Sequence, residues 1–174
     1  MANWCYGSVE VKGKPKDIEQ FCRMFVFEDK EGKTFAIEKK YFARSFTQCS
    51  WADFKKDNLG SDCADFNIQF AWSVTTCLID GYPNGKDYVT LSYACKKHNV
   101  SVDIESEEEG MGFEEHITCD NKGNVVEECK EMPVYKCLKC GAEQSMPSNY
   151  SIDEIECYDC ECYGEFEKVV EKDE

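Results

Sequence analysis

The chain has 174 residues, enough for one sizeable hydrophobic core or for a core domain joined to a small metal-stapled module. An aromatic content of 13% excludes a disordered chain, and no apolar run nears the roughly 18 residues that span a bilayer. The net charge of −15 is uneven: residues 1–99 carry 14 basic and 13 acidic side chains, residues 100–174 carry 6 and 22.

"WCYGSVEVKG" (Trp4–Gly13) alternates and is rich in strand formers, with Val9 and Val11 on one side. In "KPKDIEQFCRMFVF", Pro15 suits a first helical turn, and Ile18, Phe21, Cys22 and Phe25 form one apolar helical stripe. "KTFAIEKKYFARSFT" alternates again and predicts a strand; a loop is expected around Asp57–Asp62. "DFNIQFAW" predicts a strand with Phe66, Ile68, Phe70 and Trp72 on one face and Asp65, Asn67 and Gln69 on the other. "GYPNG" (Gly81–Gly85) is a turn cluster. "KDYVTLSYACKKHN" predicts a helix with Tyr88, Leu91, Ala94, Cys95 and His98 on one face, and "VSVDI" a fourth strand.

This order predicts an α+β fold, a ferredoxin-like βαββαβ sandwich. Its helices should bury Val9, Val11, Phe66, Ile68, Phe70, Val102 and Ile104 and leave the opposite face with Trp4, Tyr6, Lys40, Phe42, Arg44, Asp65, Asn67 and Gln69. "FEEHITC" and "NVVEECK" flank the turn "DNKG" and predict a hairpin extension. A register centred on Lys122 pairs Cys119 with Val125 and Cys129 with Glu115, so these two cysteines are not opposed. Pro133 marks a boundary between a domain of residues 1–132 and a module of residues 133–174, and no internal repeat is evident.

"MANWC", "FAWS" ending at Ser73, and "EEEGMGF" occur in an order and spacing that resembles the YubB-type ferredoxin-like family of small plasmid and phage proteins, over about residues 1–130. The resemblance implies a ferredoxin-like domain carried by a mobile element in a prokaryotic host; it implies no activity.

Thirteen cysteines are many for such a chain. "MANWCYGSVEVKG" has no basic stretch followed by an apolar one, so no secretory leader and a cytoplasmic location are expected. In a reducing compartment, cysteines are metal ligands or buried thiols rather than a disulfide framework. Cys137-x2-Cys140 and, sixteen residues on, Cys157-x2-Cys160 have zinc-ribbon spacing. Each pair can present two thiolates from a tight turn, and two such turns complete one tetrahedral structural Zn2+ site. Gly141 suits the first turn; Cys162 offers an alternative partner in the second, but the x2 spacing favours Cys157 and Cys160 and leaves Cys162 a bystander. Four thiolates leave no open position for catalysis.

The module holds 11 acids and 4 lysines over residues 133–174, which disfavours nucleic acid, because phosphate contacts need Lys and Arg. The run around Glu107, Glu108, Glu109, Glu114 and Glu115 is a candidate surface for a basic partner. His98 suits a helix C-terminus and His116 sits among glutamates, neither beside a nucleophile in sequence. The expected function is therefore non-enzymatic: an accessory protein of a mobile element that binds a protein through its acidic C-terminal half, with no membrane contact. A host nuclease or defence enzyme with a basic groove is one such partner. The alternative is a single-stranded nucleic-acid binder that stacks bases on Trp4, Tyr6 and Phe42 and holds phosphates with Lys40 and Arg44.

Overall fold

The computed structural model describes residues 3–58, 60–80 and 86–169; the turn predicted at Gly81–Gly85 lies outside them. The fold is mixed α+β. Strand β1 (Trp4–Lys12) leads into helix α1 (Pro15–Cys22), then short strands β2 (Val26–Glu28), β3 (Thr34–Ala36) and β4 (Ser45–Thr47). Helix α2 (Trp51–Asn58), strand β5 (Cys63–Ala71), a π-helical turn (Thr75–Ile79) and helix α3 (Leu91–His98) follow. Strands β6 (Ser101–Glu108), β7 (Phe113–Cys119) and β8 (Val125–Glu131) complete an eight-stranded sheet of order β3-β2-β4-β5-β1-β6-β7-β8. The pairs are antiparallel apart from β2 with β4. A separate three-stranded sheet, β10-β9-β11, comprises β9 (Val134–Cys137), β10 (Glu143–Ser145) and β11 (Phe166–Lys168).

Alternation along β1, β5 and β6 places Val9, Val11, Phe66, Ile68, Phe70, Val102 and Ile104 on one face, and all seven are buried as expected. The α1 stripe of Ile18, Phe21 and Cys22, continued by Phe25, closes over them, as do Leu91, Ala94 and Cys95 of α3. Thr90 caps α3 by accepting the Tyr93 N–H, and Asn99 ends it in the left-handed region. The β7–β8 hairpin has the predicted register, with Cys119 opposite Val125 and Glu115 opposite Cys129.

The long strand predicted over residues 33–47 breaks into β3 and β4. Phe42 and Ala43 are both buried, which a two-residue period cannot achieve, and Arg44 has φ +48°, outside strand geometry. Phe42 therefore sits in the core rather than on the opposite face, in an aromatic cluster 4.7 Å from Phe25 and 5.5 Å from Phe21. Helix α2 replaces the start of the predicted loop: its Trp51 and Phe54 stack at 5.4 Å and pack on Phe27 and Phe66. β5 stops one residue before Trp72, whose φ of +76° turns it out of the apolar row to lie under the Arg44 guanidinium, 4.6 Å from the ring centroid.

Most of the buried apolar residues fall into two clusters. The large one runs from Cys5 to Cys119, and the small one comprises Tyr135, Cys137, Met146, Ile155, Cys157, Cys162 and Phe166. No helix among the described residues is long and apolar enough to cross a membrane.

Candidate metal centre and acidic sheet face

The small sheet carries five thiols on two turns. In the first, the Cys137 N–H bonds the Ala142 carbonyl at 2.8 Å, the Gly141 N–H bonds the Cys137 carbonyl at 2.9 Å, and Gly141 has φ +81°. Only glycine holds that conformation without Cβ strain. In the second, the Cys157 N–H bonds the Cys162 carbonyl at 2.8 Å, the Glu161 N–H bonds the Cys157 carbonyl at 2.9 Å, and Glu161 takes the left-handed conformation at φ +56°. Flanking bridges match as well: Lys136 pairs with Glu143, and Glu156 with Tyr163. Residues 136–143 and 156–163 are thus one turn built twice, an internal repeat hidden because Glu161 stands where Gly141 does.

The repeat aims sulfurs inward. Backbone N–H groups of Cys140 and Lys139 point at the Cys137 sulfur; led by Cys140, they pull that thiol down to about 6 against the opposing effect of desolvation. The Ala142 N–H acts the same way on Cys140, but burial and the neighbouring thiols outweigh it and raise that thiol to about 12; at Cys160 the Cys162 thiol outweighs the Cys162 N–H and raises it to about 11. Backbone donors of this kind favour the thiolate, the form that binds metal. The Sγ atoms of Cys137, Cys157, Cys160 and Cys162 all lie within 4.8 Å of one another. Nearest separations are 3.3 Å for Cys160–Cys162, 3.5 Å for Cys137–Cys162 and 3.7 Å for Cys137–Cys160. A tetrahedral site with metal–sulfur bonds of about 2.3 Å requires sulfurs about 3.8 Å apart, so the donor set fits a four-thiolate metal. Cys162, read from spacing as a bystander, lies inside this group. Cys140 is exposed at its edge, with its sulfur 3.5 Å from that of Cys157.

The scattered cysteines behave differently. Cys5, Cys22, Cys77, Cys95 and Cys119 are buried free thiols. Burial pushes Cys5 and Cys77 up to about 12, which keeps them protonated and apolar.

The second feature is the sheet face that the helices leave uncovered. Register places Asn67, Ser8, Glu105, His116 and Glu128 in one row across β5, β1, β6, β7 and β8. Gln69, Tyr6, Glu107, Glu114 and Lys130 form the next. The loop Pro147–Asn149 roofs part of this face and encloses a cleft of about 550 Å3. Glu114 holds that loop by accepting the Ser148 N–H and its hydroxyl, the latter at 2.7 Å. Desolvation, then the Glu109 and Glu114 carboxylates, raises the Glu107 carboxyl above its ordinary range. His116 bonds Asp103 at 2.9 Å across the strand pair.

The five glutamates read as one acidic surface are divided by strand alternation. Glu107 and Glu114 line the cleft, and Glu109 is exposed. Glu108 is buried and accepts the Met111 N–H. Glu115 is buried too: it accepts the Val74 N–H at 2.8 Å, the Thr75 N–H at 3.4 Å and the Ser106 hydroxyl at 3.4 Å. These two hold backbone rather than face a partner. Replacing Glu115 with Ala strands two backbone donors, so a loss on the order of 1–3 kcal/mol is expected in urea unfolding, with Glu115→Gln costing less.

The five residues of the nucleic-acid alternative do not converge. Trp4 and Tyr6 are exposed on the uncovered face, Phe42 is fully buried, Lys40 lies in the irregular segment, and Arg44 stacks on Trp72. Seven carboxylates (Glu10, Asp65, Asp103, Glu105, Glu107, Glu114 and Glu128) share the face with Trp4 and Tyr6, and they repel phosphate.

No family model matches this chain, and no curated protein or solved structure matches it either. The YubB-type family is thus not identified by any of them, and the two features are read from their own chemistry.

Proposed function

We propose that this protein is a non-enzymatic binding protein that docks the uncovered, acidic face of its large sheet onto a basic surface of a protein partner. The observation that carries this reading is the seven-carboxylate face, which reaches the edge strand β8 at Glu128. Such a face focuses negative potential and speeds encounter with a cationic groove. A partner that handles nucleic acid presents a groove of that kind, and occupying it is inhibition; the family resemblance adds a mobile-element setting.

The order β4-β5-β1-β6 with antiparallel neighbours, and α1 and α3 as crossovers, supports a ferredoxin-like core. β7 and β8 then widen the acidic face beyond that core. One structural Zn2+ in the thiol cluster holds the small sheet, whose loop at Ser148 roofs one end of the cleft.

The test is capture of partners by the tagged protein from nuclease-treated prokaryotic lysate, beside the variant Glu105→Lys, Glu107→Lys, Glu128→Lys. A retained protein with a basic surface should be lost at least tenfold by the triple reversal and should dissociate as salt rises. Retention unchanged by the reversal, or recovery of nucleic acid alone without nuclease, overturns the reading.

A further inference from the structure

We propose that the metal centre has two interchangeable ligand sets, which share Cys137, Cys157 and Cys160 and take either Cys140 or Cys162 as the fourth thiolate. This deepens the zinc reading above and rests on it.

The argument starts from the duplicated turn. Cys162 occupies the place that Ala142 holds in the first copy, just after the left-handed residue. Ala142 packs against the small cluster, so its counterpart also faces inward, and a cysteine there brings a fifth sulfur to a four-ligand site. Cys162 has the closer set of neighbours, since its sulfur and those of Cys137, Cys157 and Cys160 all lie within 4.8 Å, and Cys140 stands at the edge of that group. Cys162 lies 3.3 Å from Cys160 and 3.5 Å from Cys137. Cys140 lies 3.5 Å from Cys157, on the open side of the same group. The set with Cys162 already approaches the sulfur spacing of a tetrahedral thiolate site, about 3.8 Å, and Cys140 meets that spacing toward Cys157.

A tetrahedral ion takes four of the five sulfurs, and the fifth waits within a short rotation of its side chain. Exchange needs one thiolate to approach as another leaves, with no opening of the backbone. Because Cys140 is exposed and Cys162 is buried, the two states differ in access. With Cys162 bound, Cys140 is a free surface thiol beside a filled site. With Cys140 bound, the spare thiol is shielded. The protein therefore keeps its metal when Cys140 is modified.

The experiment uses the full chain under reducing conditions, with Zn2+ and Co2+ as probes and a competing chelator to read affinity. Cys140→Ser and Cys162→Ser should each bind one metal per chain, within about tenfold of the parent affinity, and each Co2+ form should keep the charge-transfer intensity of four thiolates. The double variant should lose at least about a hundredfold, beyond the roughly 10–100-fold that loss of an outer-shell partner costs. Alkylation of the zinc-loaded chain should mark Cys140 without releasing zinc.

If either single variant loses as much as Cys137→Ser does, the ligand set is fixed and the inference fails while the zinc reading stands. A double variant that binds as tightly as the parent overturns it as well. Failure of the unaltered chain to take up either metal sinks the zinc reading, and the inference with it.

Discussion

On the structural-zinc reading, stripping the ion from the reduced protein will unfold residues 134–168 and leave the large sheet intact. The small cluster has seven buried residues, of which Cys137, Cys157 and Cys162 are themselves thiols of the candidate metal site. Its sheet has one strand of four residues and two of three. So little apolar area cannot offset the entropy of ordering the segment. Structural zinc in such modules contributes an apparent free energy of about 10–16 kcal/mol, far more than any side chain here can replace. Hydrogen exchange read by mass spectrometry, with and without a strong chelator, checks this. Amides of β9, β10 and β11 should lose protection while those of β1, β5 and β6 keep it. Protection unchanged in the metal-free, reduced chain would sink the structural-zinc assignment. Binding tests then separate the module's roles: if the acidic face needs the loop that Glu114 holds, partner affinity will fall with the metal, although no ligand lies on that face.

The second large effect separates Phe42 from Arg44. Phe42→Ala removes a fully buried ring from contact with Phe21 and Phe25, and its backbone N–H anchors the segment to Met24 at 2.8 Å. Loss of stability should be about 3–5 kcal/mol, enough to leave a marginal fold partly unfolded. Arg44→Ala removes a guanidinium stacked on a part-exposed Trp72 and should cost about 1 kcal/mol or less. Denaturant titrations of the two variants read the difference. Equal and small effects would return Phe42 to the surface and revive the nucleic-acid face.

Strand alternation explains both what was legible and what was not. In β1, β5 and β6 the apolar residues obey a two-residue period over long stretches, so their facing is readable from the chain. The segment before β4 mimics that period in composition, but Phe42 and Ala43 are buried together where the left-handed Arg44 breaks the pleat and Phe42 packs on Phe21 of α1. The acidic run of β6 and β7 reads as one surface only if charge alone is counted. Pairing sends Glu107 and Glu114 to the cleft and Glu108 and Glu115 to the other side, where backbone donors of the turn at Val74 await a carboxylate. Nothing local to Glu115 announces that contact, because its donors lie some forty residues away.

By itself the sequence determined the periodic strands and helices, the hairpin register and the two-turn thiol spacing, since each depends on neighbours within a few residues. Tertiary structure decided which sheet face stays open, where Phe42 lies, which glutamates meet solvent, and that Cys162 joins the thiol cluster. Those outcomes depend on what distant segments bring to the same place, and that is a property of packing rather than of any stretch of chain.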